Sequence, residues 1–191
     1  MRKVIAFENV TLDGFFAGPN GEIDWFKRKE ELAKYATNQA GRGNTILLGR
    51  VTYELMASYW PSASPPAEDP ILIDRMNNLP KIVFSKTLEK AQWRNTRLIK
   101  DNIAEETQKM KQQPGKDMVI LGSGSIVQTF TNLGLIDEYQ LLVHPVVLGS
   151  GKPLFKNIKD RLNLKLVKTG TFKNGVVLLL YQPDTKEEIT K

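Results

Sequence analysis

Met118–Ile126 reads MVILGSGSI. An apolar, strand-sized run ends in Gly122-Ser123-Gly124-Ser125, and a helical face opens at Ile126. Glycine lets backbone N–H groups approach a ligand closely, a helix N-terminus favours anions, and serine suits a helix cap. A pyrophosphate is the natural occupant of such a turn. The G-x-G-x-x-G fingerprint is absent, because its third glycine position holds Val127, and no G-x-x-x-x-G-K-[ST] occurs. A tight strand–helix turn with no ligand accounts for the same residues, so the rest of the chain must decide.

The same order recurs upstream. Thr45–Glu54, TILLGRVTYE, is a strand ending at Gly49, followed by the permanent cation Arg50 and by Thr52 as a helix cap. Lys81–Thr87, KIVFSKT, ends a strand in Ser85, Lys86 and Thr87. α/β sheets bind ligands beyond the carboxyl ends of their strands, so three such ends suit one ligand with more than one phosphate.

Further strands are predicted at Lys3–Asn9, Glu138–Val147 and Val176–Tyr181, and around Leu162, Leu164 and Leu166. Helical faces are predicted from Trp25, Phe26, Leu32, Ala33 and Ala36, from Val51, Leu55 and Tyr59, and from Ile126, Val127, Phe130 and Leu133. Asn102 with Glu105 predicts a capped start for another helix. Strands alternating with helices imply a largely parallel sheet, and Asn174-Gly175 between the last two strands implies an antiparallel hairpin. Pro61–Pro70, PSASPPAEDP, reads as a surface loop, residues 1–183 as one domain, and 184–191 as a polar tail.

Leu12–Trp25, LDGFFAGPNGEIDW, has the glycines and length of a lid after the first strand. Asp13 and Asp24 are its carboxylates and the candidate proton donors or substrate anchors. Asp24 also suits the cap of a helix starting near Trp25. His144, the one histidine, reads as a packed or hydrogen-bonded residue.

Composition narrows the chemistry. The 191 residues contain no Cys and one His, which excludes disulfides, thiol nucleophiles and thiolate or two-His metal sites; no metal is expected. No apolar run approaches the ~20 residues of a membrane span, and Met1–Val10 lacks a signal-peptide core, so a cytoplasmic protein is expected. The net charge of +6 is local: residues 81–116 hold 9 basic and 4 acidic side chains, against 9 and 10 in residues 1–80. This stretch reads either as a solvated face or as attraction for a phosphorylated ligand. A nucleic-acid binder is the rival class. Only Trp93 lies among these cations as a stacking residue, and no binding motif accompanies it.

Five segments in order, TLDGFFAGPNGEIDW, ILLGRVTYE, KIVFSKT, VILGSGSIVQTF and LLVHPVVLGSGKPLF, give a resemblance to the dihydrofolate reductase-like superfamily. It is closest to the reductase domain of riboflavin-biosynthesis deaminase-reductases and its stand-alone relatives, and covers about residues 3 to 182. The resemblance implies a three-layer α/β sandwich and an NADPH-dependent reductase of a C=N or C=O in a small polar or heterocyclic substrate. The type it favours is 5-amino-6-(5-phosphoribosylamino)uracil reductase, with dihydrofolate reduction, or nucleotide binding without turnover, as alternatives. It further implies that Gly49, Arg50 and Thr52 hold phosphates and that Ser85 and Lys86 meet the 2′-phosphate. Gly122, Ser123, Gly124, Ser125 and Ile126 would cradle the pyrophosphate, with Ala6 and Ala17 beside the nicotinamide. The relatives imply a homodimer acting on a small molecule, with no nucleic-acid or membrane partner.

Overall fold

The structure is a computed structural model that describes residues 1–26 and 30–184. Among them, eight strands form one sheet: β1 (Val4–Thr11), β3 (Gly43–Gly49), β4 (Lys81–Phe84), β5 (Thr96–Ile99), β6 (Asp117–Leu121), β7 (Glu138–His144), β9 (Leu164–Thr171) and β10 (Val177–Pro183). Their order is β5-β4-β3-β6-β1-β7-β10-β9. The first six run parallel, β10 returns antiparallel on β7, and β9 closes the far edge. Two short strands, β2 (Phe15–Ala17) and β8 (Lys152–Pro153), pair apart from the main sheet.

The central strands are mostly apolar because helices cover both faces. Along β1, Val4, Ala6 and Val10 point to the face packed by α5 (Gly124–Asn132) through Ile126, Val127 and Phe130, and by α4 (Ile103–Gln112) through Met110. Ile5 and Phe7 point to the other face, where α1 (Glu30–Arg42) lays Leu32. Farther along that face, α2 (Arg50–Tyr59) and α3 (Pro70–Asn78) pack Tyr53 and Met76. The dihydrofolate reductase-like sandwich and its antiparallel finish are therefore present, with Gly175 in the hairpin turn at φ +84°. No described helix is long and apolar enough to cross a membrane.

Several local expectations give way to packing. Val51, Leu55 and Tyr59 of α2 are exposed, and the helix instead turns Tyr53, Met56 and Ala57 inward. Trp25 and Phe26 lie outside any helix, so Asp24 does not cap one there; Ala36's side chain and residues 185–191 lie outside the described set. Asn102 precedes α4 in the left-handed region (φ +54°) without a side-chain cap, and Glu105 pairs with Lys109 instead. Only part of the 61–70 stretch is loop: Trp60–Ser62 is a 3-10 turn, and Asp69 Oδ1 accepts from Ile71 N at 2.7 Å to cap α3. Two residues counted in the basic stretch are interior. Lys81 Nζ donates to the carbonyls of Met76, Asn77 and Leu79, and Lys111 Nζ pairs with Asp137 at 2.7 Å.

Candidate active site

The parallel register brings the singled-out turns to one edge of the sheet. Gly49 ends β3 beside Phe84 of β4, which leads into Ser85 and Lys86. Phe7 of β1 pairs with Leu121 of β6, and one residue farther on Glu8 and Gly122 part. β1 leads on to α1 on one face and β6 to α5 on the other, which opens the sheet's edge between them.

The two glycine turns are stitched together. Gly49 N donates to Ser123 Oγ at 3.0 Å, and Thr52 Oγ1 donates to the Gly122 carbonyl at 3.0 Å. Ser123 is buried and its hydroxyl serves this contact, while its carbonyl accepts from Ile126 and Val127 N; its side chain does not cap α5. Gly122 sits at φ +62°, where a side chain would be strained. Gly122 and Ser125 are the exposed residues of the turn; Gly124 and Ile126 are buried. A Cβ on Gly124 would run into the ring of Phe16 from the lid, which therefore covers the start of α5.

Cations and hydroxyls flank this cradle. Arg50 bonds Glu54 at 2.8 Å and Thr87 Oγ1 at 2.9 Å. Ser85 Oγ accepts from Thr87 N and Leu88 N, and Lys86 lies exposed, 3.9 Å from Asp101. The exposed residues Gly122 and Ser125, with Arg50 and Lys86 alongside, are a donor set that fits a phosphorylated ligand. Two surface grooves of about 410 and 450 Å³ flank Trp93 instead. They lack this convergence of cations and turn amides, so the chemistry places the candidate site at the strand edge.

Other candidates do different work. Ala6 is wholly buried among Val4, Val10 and Phe130, so its side chain faces the core; Ala17 is buried in β2, opposite Lys152. Asp13 accepts from Thr11 Oγ1 at 2.6 Å and from Leu148 N and Gly149 N at 3.2 and 2.8 Å. These bonds, Thr11's foremost, hold its carboxyl below the usual range, so at neutral pH it is an ionised latch on the 145–151 loop and not a proton donor. Asp24 is exposed in the turn before Phe26.

His144 is buried at the end of β7, and Trp25 and Phe26 meet it edge-on with ring centroids 5.2 Å away. Its Nε2 lies 2.9 Å from Asn9 Oδ1, an acceptor, so Nε2 carries the proton. Burial lowers its pKa and keeps the ring neutral. Beside it the indole N–H of Trp25 is buried without an acceptor among the described residues.

Glu8 is the residue that the motifs did not single out. It is 1% exposed on the central strand, and neither carboxyl oxygen completes a hydrogen bond among the described residues. Burial raises its pKa to about 8, against a smaller opposing effect of the Ser123 and Gly122 amides, which approach without well-formed bonds. The signal lay in VIAFENV, where the one carboxylate of a mostly apolar strand falls on the same face as Val4, Ala6 and Val10.

Residues 2–178 match the RibD C-terminal domain family. The chain is 43% identical over 180 residues, 94% of each protein, to the uncharacterized protein YyaP of Bacillus subtilis (strain 168). Its structure overlays a putative riboflavin biosynthesis protein from Shewanella sp. PV-4 with TM-score 0.77 and 21% identity, covering 95% of this chain and 99% of the other. It also overlays a dihydrofolate reductase from Enterococcus faecalis complexed with NADP(H), with TM-score 0.65 and 16% identity over 95% and 96% of the two chains. Glycine turns gathered at one edge of a dihydrofolate reductase-like sheet, together with a match across nearly its whole length, make this chain a member of the RibD C-terminal domain family.

Proposed function

We propose that this chain is an NADPH-dependent reductase that passes hydride to a C=N or C=O of a small, polar, heterocyclic substrate, of the 5-amino-6-(5-phosphoribosylamino)uracil reductase type. The observation that carries the reading is the single row of Ser85–Lys86, Gly49–Arg50 and Gly122–Ser125 along the carboxyl edge of the sheet. Membership of a riboflavin-pathway reductase family supports it.

In this reading the turn at the exposed Gly122 and Ser125 binds the pyrophosphate, Arg50 and Thr52 border it, and Ser85 with Lys86 meets the 2′-phosphate. When bound, the reduced nicotinamide supplies the hydride. The chain's own part is to bind, orient and exclude water. Phe16 and the lid close over α5, and Asp13 ties the 145–151 loop down beside them. On the opposite face, Asn9 fixes the neutral His144 ring, and the Trp25 N–H offers a donor to a carbonyl or phosphate oxygen of the substrate. Burial of Lys81 and Lys111 takes two cations out of the basic stretch, which weakens the nucleic-acid reading. Action in the cytoplasm as a homodimer belongs to the same proposal. The exposed Leu166 and Val167 on edge strand β9 are the surface that pairing would cover.

The test is thermal denaturation with NADPH and NADH side by side, on the wild type and Lys86→Glu. A ligand at 100 times its Kd stabilises by about 2.7 kcal/mol, a shift of several degrees at this size. The expected result is a shift with NADPH that Lys86→Glu reduces far more than it reduces any shift with NADH. No shift with either cofactor removes the reductase reading, and equal losses for both remove the 2′-phosphate assignment.

A further inference from the structure

The buried carboxyl of Glu8 is not used by any step above. It stands on a central strand of the sheet, where β1 and β6 part, beside the turn proposed to bind phosphates. Its residue parity matches Val4, Ala6 and Val10, so it faces the α5 side. A wholly buried carboxyl with neither oxygen satisfied is costly, and such groups are retained where a ligand or a proton completes them.

We infer that Glu8 is a proton-linked floor to the phosphate site: its carboxyl must hold a proton for an anion to settle over the Gly122–Ser123 turn. This rests on the proposed phosphate site. Ionised, Glu8 would place a negative charge in a dry environment beneath a second one, and would compete for the same turn amides. Protonated, it leaves those amides to the ligand and adds no charge. The linkage is reciprocal, so a bound anion holds the proton on Glu8 as firmly as the proton favours the anion.

Among the described residues, no charged group adds to the effects of burial and of the Ser123 and Gly122 amides on Glu8. Helix α5 carries no ionisable side chain, and β2 is apolar. In β6 the only ionisable residue is Asp117, at the far end of the strand. Strand β7 brings Tyr139 to this face, its hydroxyl 3.0 Å from that of Thr131 and its pKa raised by burial, while Glu138 and His144 point to the opposite face. At the next turn Arg50 is engaged by Glu54 and Thr87. The group's own pKa, about 8, puts the changeover within reach of ordinary buffers.

The experiment measures affinity by calorimetry for two probes, NADPH and inorganic pyrophosphate, from pH 6 to 9.5, with wild type and Glu8→Gln. Each probe's own titration is common to both proteins and cancels in their difference. Relative to Glu8→Gln, the wild type is expected to lose about tenfold in affinity between pH 7 and pH 9, and to take up a proton on binding near pH 8.5. Infrared spectra of the wild type provide a readout that needs no variant. At pH 8.5 the ligand should convert a carboxylate band into a carboxylic-acid band.

Parallel affinity profiles with no proton uptake overturn the inference and leave the cofactor reading standing. Linked binding of pyrophosphate without any binding of NADPH supports Glu8 and overturns the cofactor reading. If neither probe binds at any pH, both fall. Should Glu8→Gln fail to fold, the infrared change decides the matter, and its absence overturns the inference.

Discussion

Glu8 also makes a prediction that needs no ligand. Its carboxyl is raised from an ordinary 4.5 to about 8 by burial, so the folded protein holds a proton there over a window in which the unfolded chain has lost it. Stability associated with this group is therefore fully present below pH 4.5, declines through neutrality, and is lost as pH passes 8. A rise of that size corresponds to about 5 kcal/mol across the whole window, of which about 3 kcal/mol is gone by pH 7. Glu8→Gln keeps the shape of the side chain and removes the titration. Urea unfolding of both proteins at pH 5, 7 and 8.5 should show wild-type stability falling relative to the variant by several kcal/mol from the lowest pH to the highest. In melting temperature this is on the order of 10 °C for a chain of this length. Other groups, His144 included, titrate alike in the two proteins and drop out of the difference. Parallel curves would refute the reasoning, because they would mean that Glu8 reaches water or a partner and ionises normally in the folded state.

Two more substitutions probe how the scaffold supports the site. Lys81→Met should destabilise the fold by about 3 kcal/mol in urea titrations, because it leaves the carbonyls of Met76, Asn77 and Leu79 without their shared donor and removes the cation 4.2 Å from the Trp93 ring. Asp13→Ala should free the 145–151 loop, read as faster amide exchange at Leu148 and Gly149 with little change in the α5 amides. Since its pKa is depressed, the same loosening in the wild type should come only as pH falls below the usual carboxylate range.

The strand ends were legible because short apolar runs stopped by glycine or serine have few alternatives: VILG, ILLG and KIVFS all became parallel strands ending at one edge. The facing of α2 was not, since Val51, Leu55 and Tyr59 form a more apolar stripe than the Tyr53, Met56 and Ala57 side that packs inward. Only the sheet beneath decides which stripe is buried. Strand β5 was hidden in TRLI, four residues with a central arginine at the sheet's edge. Lys81 looked like a surface charge because the three carbonyls that bury it exist only once α3 has ended above it. Asp69-Pro70, by contrast, carried a capped helix start in plain view inside a segment whose proline content suggested only a loop.

Gly124 shows what the glycine turn does and does not argue. Read alone, the second glycine of GSGS suggests room for a phosphate. In the fold that room is taken by the Phe16 ring, so Gly124 is required for the lid to lie against α5, whether or not a ligand binds. Gly122 is set by its left-handed backbone, and Ser123 by its bond to Gly49. The phosphate reading therefore does not rest on Gly124. It rests on what remains once packing is subtracted: the exposed Gly122 and Ser125 and the cations of Arg50 and Lys86 at the same edge.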